Sequence, residues 1–105
     1  MEPRPLTFQL AAAALSAVRP DILALGVRRL AVFGSVGRGE ARPDSDVDVL
    51  VEFEPGAKSF DRFMELGELL ERALDRRVEL VTLEALSPFL RPHILADARD
   101  VVRAA

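Results

Sequence analysis

Asp46-Val47-Asp48-Val49-Leu50-Val51-Glu52-Phe53 alternates with a period of two. Val47, Val49, Val51 and Phe53 fall on one face, and Asp46, Asp48, Leu50 and Glu52 fall on the other. The pattern predicts a strand, and that strand carries two carboxylates where packing residues belong. Asp46 and Asp48 would lie roughly 7 Å apart along it. Like charges held that close are unfavourable unless a cation sits between them. Oxygen ligands with no His or Cys nearby suit Mg²⁺ or Mn²⁺. Asp44, just upstream, reads by itself as a solvated acidic residue.

Outward from this strand, the other elements alternate. A helix opens near Thr7, a plausible N-cap, and runs to Val18. Arg19-Pro20 breaks or kinks it, and a further helical turn ends at Gly26. Val27 to Phe33 is a strand ending in the glycine-punctuated run Gly34-Ser35-Val36-Gly37-Arg38-Gly39-Glu40. Downstream, Pro55-Gly56 is a turn and Ser59 to Leu74 a helix. Phe60, Phe63, Met64, Gly67 and Leu70 form its expected core stripe, flanked by Leu66 and Leu69. Arg77 to Val81 is a third strand, and Thr82 to Leu90 a short helical turn region. Pro92 opens a last helix, with Ile94, Leu95, Ala98, Val101 and Val102 expected inward. The expected fold is α/β: a small three-stranded mixed sheet packed with helices, in the order α-β-α-β-α-β-α.

The chain has 105 residues, 14 Lys+Arg, 17 Asp+Glu, one His and no Cys. A single domain over residues 1–105 is expected at that length. A net charge of −3 gives no broad footprint for DNA, RNA or an anionic membrane. The absence of Cys excludes disulfides, thiolate chemistry and Cys-based metal sites. The longest uncharged stretch, Leu6 to Val18, falls short of the ~18 apolar residues of a membrane span. The spacing Leu15, Val18, Ile22, Leu25 reads as a helix face and not a signal core, so a cytoplasmic protein is expected.

Several named motifs fail. Asp44, Asp46 and Asp48 match the first positions of a calcium loop, but its sixth-position Gly is Val49 and its twelfth-position Glu is Pro55. Gly34 to Gly39 has P-loop spacing, yet Glu40 stands where the Lys belongs. The dinucleotide fingerprint fails at Arg42, and a nucleophile elbow fails at Phe33. What remains is a Gly-Ser turn at a strand's end beside Arg38. Backbone N–H groups, a hydroxyl and a guanidinium are what a phosphate chain needs. For the loop alone, an ordinary βα turn explains it as well, and a salt bridge to Glu40 or Asp44 competes for Arg38. His93, on a polar turn, carries no assigned role.

Loop and carboxylates together say more. The run from Phe33-Gly34-Ser35 through Arg38-Gly39-Glu40 to Asp44-Ser45-Asp46-Val47-Asp48-Val49-Leu50-Val51 resembles the signature of the polymerase-beta-like nucleotidyltransferases, in particular their minimal branch. Arg77-Val78-Glu79-Leu80-Val81 and Leu86-Ser87-Pro88 fit the flanking pieces of that branch. The resemblance implies that Asp46 and Asp48 hold two Mg²⁺ ions, with Mn²⁺ an alternative, and that Glu79 stands in for a third carboxylate, commonly an Asp. Gly34, Ser35 and Arg38 would bind the triphosphate of ATP. It further implies AMP transfer to a hydroxyl, and a HEPN-domain RNase toxin as partner, silenced by adenylylation of a tyrosine. Two readings compete: a non-catalytic nucleotide- or partner-binding antitoxin, and transfer to a small-molecule hydroxyl. Homo-oligomerisation stays open.

Overall fold

The computed structural model describes residues 4–104. Thr7 caps the first helix, its hydroxyl accepting from the Leu10 N–H at 3.1 Å. That helix, α1, spans Phe8–Ala17, and α2 follows at Arg19–Ala24 with Pro20 in its first turn. Then come β1 (Val27–Phe33), α3 (Gly34–Arg38), β2 (Val47–Phe53), α4 (Phe60–Leu74) and β3 (Val78–Thr82). A 3₁₀ turn at Leu83–Ala85, α5 (Arg91–Asp97) and β4 (Arg99–Arg103) complete the order.

The four strands form one sheet in the order β3-β2-β1-β4. β1 runs antiparallel to β2 and to β4, and β2 runs parallel to β3. The sheet is therefore mixed, as expected, but it has four strands and not three. Val101 and Val102 were expected on the last helix; they lie instead on β4, and Val102 is buried. The helix stops at Asp97, and Ala98 is already extended (φ −68°, ψ 129°). Two β-branched residues favour a strand, and β1 offers an edge whose backbone groups would otherwise go unpaired. Arg99 and Arg103 then place charge on the outer strand, a common protection of a sheet edge.

One face of the sheet carries the main core. Leu30, Val32, Val47, Val49 and Val51 point into it and meet Ala11 and Leu15 of α1, Ile22 of α2, and Leu66, Leu70 and Leu74 of α4. The α4 stripe is thus rotated from the expected one. Leu66, Leu70 and Leu74 are buried, Phe63 is partly buried, and Phe60 and Met64 stand exposed. The apolar arc of this helix is wider than one contact face, and α4 packs on α1 as well as on the sheet, which draws the Leu66–Leu74 line inward.

The opposite face is covered only in part. Ala31 and Leu50 pack there under Leu86, with Phe33, Val81, Leu83, Ile94 and Ala98 alongside. Beyond that patch, the face is polar. Arg29 spans three strands, its Nη1 3.0 Å from Glu52 on β2 and its Nε 2.6 Å from Asp100 on β4. A bulge at Val27/Arg29 gives Arg29 this facing. Arg29→Met should cost about 1–2 kcal/mol, between the values for exposed and buried pairs. Chemical denaturation at low and high salt checks this; an unchanged midpoint at low salt would remove the structural role of these two ion pairs. Among the described residues no helix is long and apolar enough to cross a membrane.

Candidate active site

Where β1 ends, the chain must turn sharply over its neighbour strand. Gly34 makes that turn with φ +67°, in the left-handed region that side chains disfavour. A Cβ at Gly34 would also overlap the Asp48 carboxylate, whose Cγ would lie 3.0 Å away. The main chain of the turn is therefore pressed directly against Asp48. Gly37 serves a different closeness: a Cβ there would stand 2.9 Å from the Val32 carbonyl oxygen and 3.3 Å from that of Asp97. These two glycines seat α3 between the end of β1 and the end of α5. Gly39 closes the helical turn at φ +76°, and the Glu40 N–H donates to the Ser35 carbonyl at 2.8 Å.

The strands do the rest. Register sets Asp48 beside Phe33 on one side and Glu79 on the other. Val78 and Leu80 pack into the main core, so Glu79 faces the open side with Asp48. Asp46 precedes β2 by one residue and is exposed. The Asp48 carboxyl is pushed up from 3.8 to about 6, first by burial, then by its hydrogen bond and charge interaction with Glu79, then by Asp46. Arg38 opposes that rise from the side of α3.

Gly34, Asp48 and Glu79 are thus brought together, with Ser35 one residue further along the turn. Arg38 is less free than the sequence suggested. Its Nη1 lies 2.9 Å from Asp97 and its Nε 3.2 Å from Glu40. Glu40 was an expected competitor and Asp97 was not. Nothing in the local sequence signals a partner 59 positions away. Among the described residues no group of three His, Cys, Asp or Glu forms a ready-made metal cluster. What is gathered is the Asp48–Glu79 pair, with Asp46 acting on Asp48 by charge. Such a donor set fits Mg²⁺ or Mn²⁺, which commonly take one or two carboxylates and complete their shell with substrate phosphates and water. An ion there would also offset the burial and the carboxylate repulsion that together raise the Asp48 pKa.

Residues 15–101 match the nucleotidyltransferase domain family. The chain belongs to that family. This nucleotidyltransferase is 47% identical over 72 residues to the protein adenylyltransferase MntA of Thermococcus cleftensis, covering 69% of this chain and 72% of that one. A solved structure named as a minimal nucleotidyltransferase superposes with a TM-score of 0.69 at 41% identity, covering 84% of this chain and 93% of that one. The same fold occurs in a chain from the complex of tri-AMPylated Shewanella oneidensis HEPN toxin with MNT antitoxin, with a TM-score of 0.65 and 21% identity, covering 93% of this chain and 74% of that one. Nucleotidyltransferases generally use divalent metal ions, in keeping with the oxygen-only donor set of this site.

Proposed function

We propose that this nucleotidyltransferase moves AMP from ATP to a tyrosine hydroxyl of a HEPN-domain RNase toxin and so acts as its antitoxin. The observation that carries the reading is the pressing of the Gly34 turn against Asp48, with Glu79 on the adjoining strand. A phosphate chain laid on that turn has its α-phosphate beside the carboxylates. The relative named MntA is a protein adenylyltransferase, which supports a protein acceptor.

In this reading Gly34 and Ser35 hold the β- and γ-phosphates, and Arg38 reaches the triphosphate from α3. Asp46, Asp48 and Glu79 would hold two Mg²⁺ ions, which would neutralise the triphosphate and lower the pKa of the acceptor hydroxyl. The acceptor oxygen attacks the α-phosphorus, the bond from that phosphorus to the bridging oxygen breaks, and pyrophosphate leaves. In this reading Glu79, on the outer strand beside Asp48, takes the hydroxyl proton. Residues 1–105 act as one domain, working in the cytoplasm.

Co-incubation with a HEPN-domain toxin, Mg²⁺ and ATP labelled at either end tests this. Label at the α-phosphate should enter the toxin, and label at the γ-phosphate should leave as pyrophosphate. Intact mass should rise by whole adenylyl groups. Label entering only from the γ-phosphate would make this a kinase. An unmodified but inhibited toxin would mean neutralisation by binding alone.

A further inference from the structure

The apolar arc of α4 is only half used by the core. Leu66, Leu70 and Leu74 are buried, while Phe60 is 76% exposed and Met64 is 46% exposed. Beside them the helix and β3 leave a groove between them. A cavity of about 210 Å³ is lined by Phe63, Met64, Gly67 and Glu68 from the helix and Val78 and Leu80 from the strand. A second, of about 480 Å³, continues it past Phe60 and Phe63 to Thr82, with Lys58 at its end.

Gly67 gives this groove its sharpest feature. It sits mid-helix, where Gly costs about 1 kcal/mol relative to Ala. Its backbone angle is not among the positive ones, and a Cβ there would meet nothing within 4 Å. Neither conformation nor packing within the chain calls for a glycine. A notch in the floor of an occupied groove does.

β3 is an outer strand of the sheet. The Val78 N–H points away from β2 and donates to the Glu71 carboxylate at 3.0 Å, so the Leu80 N–H two residues on faces the same free side. Glu79, between them, faces the candidate active site. Groove and carboxylate pair therefore lie back to back across a single strand, and a partner seated in one reaches the other around that edge.

We propose that the groove between α4 and the free edge of β3 docks the protein acceptor, through an apolar segment flanked by lysine or arginine. Charge selects this occupant. Glu68 and Glu71 form a short acidic row on the helix wall of the groove, and lysine or arginine on the partner complements them. A second copy would bring the same acidic row against itself, in a chain already at −3. The proposal rests on the adenylyltransferase reading for its choice of partner.

Hydrogen exchange of the protein with and without a HEPN-domain toxin, alongside Gly67→Leu, tests it. Binding should slow exchange at Leu80 and along Phe63–Glu68. Gly67→Leu should raise the melting temperature of the free protein, leave Mg²⁺–ATP affinity unchanged, and weaken the toxin complex tenfold or more. A complex that labels normally, with protection elsewhere or unweakened by Gly67→Leu, overturns the docking site and leaves the transfer reading standing. A complex protected at the groove without AMP transfer overturns the transfer reading and keeps the docking site. Protection of the groove in the protein alone, with a dimer in solution, assigns it to a second copy and overturns the proposal. No complex at all overturns the choice of occupant.

Discussion

Asp48→Asn should lower AMP transfer by about a thousandfold, the scale on which a single preorganised electrostatic contact acts, and should at the same time make the metal-free protein melt higher at pH 8. The two effects have one cause. Asp48 is desolvated and faces Glu79 and Asp46, so its charged form is disfavoured in the folded protein, and its pKa rises from 3.8 to about 6. Between those values the native state binds more protons than the unfolded chain, so stability falls as pH rises through that window. Below pH 3.8 the group is protonated in both states, and Asp48→Asn and the unsubstituted protein should melt nearly alike. Above about pH 6 the unsubstituted protein carries the whole penalty and the Asn variant none. Melting curves in chelator from pH 4 to 8 check this. A variant that melts lower at pH 8 would make Asp48 a structural residue. Asp46→Asn should also lose transfer, but with a smaller change in melting, because Asp46 lies exposed ahead of the strand.

How much of this was legible in the sequence varies by element. β2 was clear because its alternation is strict, and the facing of Asp48 follows from a period of two with no tertiary information. Glu79 was legible in the same way, since Val78 and Leu80 fix its side. β4 was not. Val101 and Val102 continue the helical spacing of Ile94 and Ala98, and only the free edge of β1, a long-range fact, makes them a strand. The α4 stripe failed for a related reason: Phe60, Phe63 and Met64 are as apolar as Leu66 and Leu70, and composition cannot say which part of a wide arc meets α1 and the sheet. Arg38 illustrates the limit at the site itself. Its neighbour Glu40 could be anticipated, but Asp97 is brought to it only by the packing of α5 on α3.

Gly34→Ala should lose transfer as severely as Asp48→Asn while destabilising the fold, and the two substitutions should be coupled. Two separable costs act at Gly34. Its φ of +67° strains any side-chain-bearing residue by about 1–2 kcal/mol. The added Cβ also overlaps the Asp48 carboxylate, so either that side chain or the turn must move. Removing the carboxylate removes the second cost and leaves the first. In an Asp48→Gly background, Gly34→Ala should therefore cost only the backbone strain, and a double-mutant cycle should show a coupling of about 1 kcal/mol or more. Urea unfolding of the four proteins in chelator measures it, independently of any activity. Strict additivity would mean that the turn and Asp48 are not in contact, and the placement of a phosphate chain between them would fall with that contact. Coupling at the expected size ties the glycine of the turn to the carboxylate of the next strand, the one close approach on which the whole site is built.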